Sequence, residues 1–352
     1  MRRFFAALLL LSSAAAAEPA DREGAAFLSK SCHAGLSIAV VTADGTVFHN
    51  YGTVSRATPH APTKDSVYEI ASVTKSFTGA LAAQAVADGK MALDRDFRSY
   101  LPQAYPNLAR DGVSITLRSL ATHRSGLPRD LPDSDAIFAR RDYKTLPFEL
   151  IAQERGWARD RYLTALHGVA LASTPGTAEA YSNLAMKVLG FGLETVRKQP
   201  FEALMQSAIL TPLAMRDTGF AVTQGQRRRL VTGYDRFGTA MPYHLRNAGA
   251  AWGLYSTPAD MARYVRWQLD ESQPAIRLAH RPLIEGQGLI WNLATANGER
   301  MLWHGGGSFG MTSQVVLYPD AREGYALLAN DSCDGTESAL KAIAERLHGS
   351  EK

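Results

Sequence analysis

Cysteine is scarce: the chain of 352 residues has two, Cys32 and Cys333. That excludes a disulfide-dense scaffold and a cysteine-rich zinc site, since both need more sulfurs at fixed spacings. No apolar run is long enough to cross a bilayer. An excess of one charge is missing too. The formal net charge is +4, and Arg2 and Arg3 carry half of it. Such balance gives no electrostatic case for nucleic acid, and Arg227-Arg228-Arg229 reads as a solvated loop. Internal repeats are absent, as are low-complexity tracts beyond the first residues.

What is present begins with a leader. Met1-Arg2-Arg3, the apolar run Phe4–Leu11 and the small residues Ser12–Ala17 predict a signal peptide over 1–17, cut after Ala17. No cysteine lies at the cut, so no lipid anchor is expected. Export to the periplasm follows as the expectation.

The mature chain is organised around Tyr68–Phe77 (YEIASVTKSF). An apolar run ends at Ser72, and a helix is predicted from Val73 to about Ala87, stopped by Asp88-Gly89. Ser72 and Lys75 are three apart, so they share one face at the helix start. A serine hydroxyl is a poor nucleophile until a base takes its proton. A lysine serves once burial and the positive helix end lower its pKa. Ser-x-x-Lys therefore carries a mechanism, although so short a pattern also recurs by chance.

Around this stretch the texture changes twice. Gly35–Thr42 and Thr46–Tyr51, joined across Asp44-Gly45, predict a β-hairpin. From Leu93 to about Tyr255 helical patterns alternate with Pro/Gly loops. Helices are expected over Thr116–His123, Phe148–Leu166, Asn183 to about Lys198 with Asn183 as cap, Pro200–Leu210, and Pro258 to about Leu269. Thr122–Gly126 reads as a helix-ending turn. Strands return at Met301–His304, Thr312–Tyr318 and Gly324–Asn330, before an amphipathic helix over Thr336–Leu347. The predicted architecture is α/β (α+β). An antiparallel sheet is built from both ends of the chain (18–92 and 256–352), and a mostly helical domain over 93–255 is inserted between.

Two further motifs can converge on Ser72. Tyr181-Ser182-Asn183 offers a phenol that can move a proton and an amide that can orient a substrate or the lysine. His304-Gly305-Gly306-Gly307 ends a predicted strand, where glycine lets a substrate backbone approach closely. An N–H there can complete an oxyanion hole with that of Ser72.

Together these residues resemble the penicillin-binding protein and class C β-lactamase-like serine hydrolases, which carry Ser-x-x-Lys, Tyr-x-Asn and Lys/His-x-Gly in this order. Leu120–Pro128 (LATHRSGLP), Thr174–Asn183 (TPGTAEAYSN), Pro212–Thr218 (PLAMRDT), Gly253–Met261 (GLYSTPADM) and His304–Gly310 also look like family signatures. Leu120–Asp130 and Ala180–Ala185 are most similar to the periplasmic D-alanyl-D-alanine carboxypeptidase/endopeptidase branch. The resemblance implies acyl-enzyme chemistry with no metal or cofactor, on peptidoglycan peptides or other small acyl substrates, with β-lactams as acylating ligands. It implies Ser72 as nucleophile, Lys75 as its proton partner and Tyr181 as general base. Asn183, His304, Gly306 and Gly307 then form the substrate and oxyanion positions. Which of Lys75 and Tyr181 is the main base stays open at this level.

The chain departs from the pattern at one place. Members acting on carboxylate-bearing substrates often have Lys-Thr-Gly where this chain has His304-Gly305-Gly306. A fixed cation and a hydroxyl are lost, which leaves peptide, ester and β-lactam substrates in contention. The resemblance also implies that the strands beside Cys32 and Cys333 are antiparallel neighbours, hence a disulfide between them. Two rival readings remain. One is an α/β-hydrolase using Ser308 in Gly306–Gly310 (GGSFG), and the other is an inactive family member that binds peptidoglycan or acts as a sensor.

Overall fold

The computed structural model describes residues 19–244, 249–296 and 298–350. The expected leader lies outside the described residues. Six strands form one antiparallel sheet: β1 (Gly35–Val41), β2 (Thr46–Gly52), β3 (Asn292–Ala296), β4 (Glu299–Gly307), β5 (Thr312–Tyr318) and β6 (Glu323–Ala329). Their order is β2-β1-β6-β5-β4-β3, so the two ends of the chain meet where β1 pairs with β6, Leu36 opposite Ala329.

Both faces of the sheet are covered, and the strand alternation shows it. Leu36, Ile38, Val316, Tyr318, Tyr325 and Leu327 pack with the terminal helices α1 (residues 19–28) and α6 (Thr336–Ser350). Ala39, Val41, Val315, Leu317, Ala326 and Leu328 join the main core on the opposite face. That core surrounds α2 (Thr74–Ala87), which is buried along nearly its whole length. Its residues are mostly small, so other elements approach from every side. Gly79 lies against Ile290 and the Leu289 carbonyl, and Phe77 stacks on Tyr264 with ring centroids 3.7 Å apart.

Several expectations are corrected. The helix predicted over Phe148–Leu166 is two helices, Leu146–Glu154 and Arg159–Leu166. Gly156 adopts a left-handed φ of 77° between them, and Ala158 is extended. Over 200–210, α-helix gives way after Met205 to a wider π turn, Gln206–Leu210. Asn183 is not the cap of α3 (Asn183–Arg197). Ser182 is, accepting from the Ala185 N–H. Arg229 is not simply solvated, for its guanidinium holds the Asp217 carboxylate. Strand β3, helix α1 and the helix Pro274–His280 were not anticipated.

The structure joins Cys32, ahead of β1, to Cys333, beyond β6, with Cα atoms 6.2 Å apart. Beside this bridge the buried His33 donates from Nδ1 to Asp331, 3.0 Å away.

Candidate active site

The residues before Ser72 force it into position. A short strand, Tyr68–Glu69, pairs with Tyr255–Ser256, and Ile70 N–H donates to the Leu254 carbonyl. Ala71 then takes a φ of 44°, a left-handed conformation costly for a residue with a Cβ. One turn of 3₁₀-helix, Ala71–Val73, carries Ser72 into the N-terminus of α2.

Lys75 follows one turn later and is fully buried (0% exposed). Its Nζ donates to Ser72 Oγ (2.9 Å) and to the Ala251 carbonyl (2.7 Å). Burial pushes the Lys75 ammonium well below its usual range. Asp130 draws it back up, and Arg129 and Lys187 add to the fall. Lys187 is a second buried lysine on α3, bonded to Tyr162 Oη at 2.6 Å. Burial lowers it to about 8, against Glu154 and Asp130.

Tyr181 Oη donates to Ser72 Oγ at 2.8 Å, and its ring lies 4.9 Å from Lys75 Nζ. The residue is 42% exposed and lines the cleft. Burial pushes the phenol up to about 12, with the bond to Ser72 opposing. Tyr181 therefore holds its proton across the neutral range, whereas the lysine beside it is driven toward the free amine.

His123 fixes this tyrosine from behind. Its carbonyl accepts from Ala180 N–H, its Nδ1 accepts from Ser182 N–H, and its ring stands 4.5 Å from that of Tyr181. The turn read as merely ending a helix thus shapes the site. Asn183 is oriented by another residue that the sequence reading did not single out. Its Nδ2 donates to Asp130 Oδ1 (2.9 Å), which leaves the buried Oδ1 of Asn183 without a partner. The amide therefore presents an acceptor to a cleft of about 570 Å³ that Ser72, Tyr181, Asn183 and His304 line together.

The opposite wall is the end of β4. Gly306 touches the Ile70 carbonyl and the Ser72 nitrogen so closely that a Cβ would lie 2.6 Å and 2.8 Å from them. Glycine is required there to bring the strand backbone beside Ser72. Gly307 faces open cleft. His304 is buried, and its Nδ1–H donates to the Gly305 carbonyl at 2.7 Å. Burial first, then the Lys75 charge, lowers it to about 4. The ring is neutral near pH 7, and its one donated bond is spent on the backbone. Ser308 sits in the turn after β4, where its Oγ accepts from Met311 N–H. With an antiparallel sheet in place of a parallel one, the α/β-hydrolase reading fails.

Comparison with known proteins agrees with this geometry. The Beta-lactamase family model matches residues 21–350. The chain is 32% identical over 235 residues to the D-alanyl-D-alanine-carboxypeptidase/endopeptidase AmpH of Escherichia coli (strain K12), covering 67% of this chain and 57% of that one. It is 26% identical to Protein flp of Staphylococcus aureus (strain N315), covering 86% and 61%. It thus spans about three-fifths of the length of these curated relatives. A class C β-lactamase structure superposes with a TM-score of 0.81 at 19% identity, over 96% of each chain. A β-lactamase/D-alanine carboxypeptidase from Yersinia pestis complexed with citrate gives 0.80 at 23% identity, over 97% of this chain and 99% of that one. With the matched model spanning nearly the whole described chain, and a serine, a lysine and a tyrosine converging within it, the protein belongs to the beta-lactamase family of serine hydrolases.

Proposed function

We propose that the protein is a periplasmic peptidoglycan D,D-carboxypeptidase/endopeptidase acting through an acyl-enzyme on Ser72. One observation carries the reading: Lys75 Nζ and Tyr181 Oη both lie within hydrogen-bond distance of Ser72 Oγ, at 2.9 and 2.8 Å. As the free amine, Lys75 accepts the Ser72 proton while Oγ attacks the carbonyl carbon. The N–H groups of Ser72 and Gly307 receive the oxyanion. Tyr181 relays a proton to the leaving nitrogen and is reprotonated from Lys75. Water then repeats the sequence on the acyl-serine and frees the acid. The substrate assignment follows the name of the AmpH relative, and the export assignment follows the leader over 1–17.

A second reading, a β-lactamase-related esterase or amidase, is favoured by the neutral His304, which gives a substrate carboxylate no cation. Both readings share the acyl-enzyme. Intact-mass measurement after incubation with a penicillin or a fluorophosphonate is expected to show one adduct, absent in Ser72→Ala. An adduct mapped to another residue overturns the assignment to Ser72, and the absence of any adduct revives the inactive-binder alternative. Turnover of muropeptides, penicillins and p-nitrophenyl esters then separates the substrate classes.

A further inference from the structure

We propose that Glu337 and Gly305 form a subsite for a cationic amine on the leaving-group side of the cleft, a proposal that rests on Ser72 being the acylated residue. In a D,D-peptide the free carboxylate belongs to the leaving residue. The strand position where Lys-Thr-Gly members meet such a carboxylate is therefore the leaving-group side. Here that position has the opposite polarity.

Gly305 lies opposite Gln314 of β5. A Cβ on Gly305 would overlap the Glu337 carboxyl and come within 2.7 Å of Gln314 Oε1. The space that a threonine side chain needs is filled by a carboxyl group. Glu337 stands in the first turn of α6 and lines the same cleft as Ser72 and His304. Among the described residues no cation pairs with it. Lys341, one turn on, is bound to Glu345 and lies over the Trp303 ring, and Arg236 is bound to Asp334. Gln314 is the buried residue across the ladder from Gly305. It is 1% exposed, and neither its Oε1 nor its Nε2 has a partner.

His304 extends the inversion. Because Nδ1–H is committed to the Gly305 carbonyl, Nε2 carries the lone pair. The cleft wall thus offers a carboxylate from α6 and an acceptor nitrogen from β4, where a lysine and a threonine would offer a cation and a donor. An ammonium group brings three donors and a charge to these acceptors. A carboxylate brings like charge and no donor.

The test uses three N-acetyl-D-alanyl amides that differ only in the leaving amine: glycine (carboxylate), glycinamide (neutral) and ethylenediamine (ammonium). Turnover is measured, and so is the protection each gives Ser72 against fluorophosphonate labelling, which reads occupancy even without turnover. The ethylenediamine amide is expected to be preferred over the glycine amide by about ten- to a hundredfold. Glu337→Gln is expected to remove most of that ratio, with an unchanged thermal unfolding midpoint as the control for folding. Equal protection by the three amides, or an unchanged ratio in Glu337→Gln, overturns the subsite while leaving the acyl-enzyme intact. Failure of Ser72 to label at all overturns the underlying reading and the subsite with it.

Discussion

If Lys75 takes the Ser72 proton as proposed, this one side chain ties activity to pH. Its ammonium is destabilised chiefly because it is sealed from water, and Arg129 and Lys187 add repulsion that Asp130 opposes. As pH rises through the lowered pKa the amine loses its proton and becomes a base, so kcat/KM should climb along this acid limb. His304, lowered to about 4 by burial and by the Lys75 charge, is neutral near pH 7. Lys75→Arg keeps a cation that never deprotonates at these pH values. It is expected to lose at least about a hundredfold in acylation rate and to lose the acid limb, measured as fluorophosphonate labelling against pH. Retention of the limb would show that another group titrates there. Ser72 with Lys75, and Tyr181 with Asn183, stood out because each pair sits in one short motif, whereas the meeting of the two motifs across 109 positions was expected only from the family resemblance. Asp130 did not stand out, because it acts on a residue 53 positions away. Glu337 did not either, since only the approach of α6 to Gly305 reveals it.

At the scale of elements, α2 is the piece against which the site is assembled. It presents Ser72 at its start, and its small residues let neighbours close in on every side. Helix α3 contributes Asn183, and the turn before it contributes Tyr181. Strand β4 closes the wall through Gly306. Gly79 is where packing is tightest on the concealed side of α2, with Ile290 Cγ1 2.7 Å from a would-be Cβ. Gly79→Val is expected to destabilise by about 1–3 kcal/mol through overpacking, read as a lower urea midpoint with unchanged slope. A midpoint at or above that of wild type would mean that the 289–290 segment yields freely. Elements with a cap, a proline at the first turn or a glycine turn were readable, as α2, the helix Pro258–Gln268 and the β1–β2 hairpin show. Strand β3 carries a mixed polar run, Asn292–Ala296, because it sits at the sheet edge with much of its surface in water. It lacks the apolar alternation that marked its neighbours. The break at Gly156 interrupts a pattern whose apolar spacing continues on both sides, so the period alone ran through it.

At the scale of the whole molecule, the sheet is completed only when the two ends of the chain pair, since β1 lies beside β6. All the residues of the site except Glu337 lie between Cys32 and Cys333, which are 301 positions apart and flank this pairing. The antiparallel pair sets the Cα atoms 6.2 Å apart, within the span a disulfide bridges. The bridge restricts the unfolded chain far more than the folded one, where the sheet already holds the ends together. In the chain-entropy model a loop this long corresponds to about 6 kcal/mol. For a chain of this size that is roughly 5–10 °C in the unfolding midpoint. Denatured, unreduced protein isolated from an oxidising compartment is expected to show no free thiol. Cys333→Ser is expected to lower Tm by that amount. The variant should still label at Ser72 at low temperature, because the hydrogen bonds that join Ser72, Lys75, Tyr181 and the Ala251 carbonyl do not involve the bridge. Two free thiols in the wild-type protein would remove the bridge. An unchanged Tm with the bridge present would show that the unfolded chain is already held compact by other contacts.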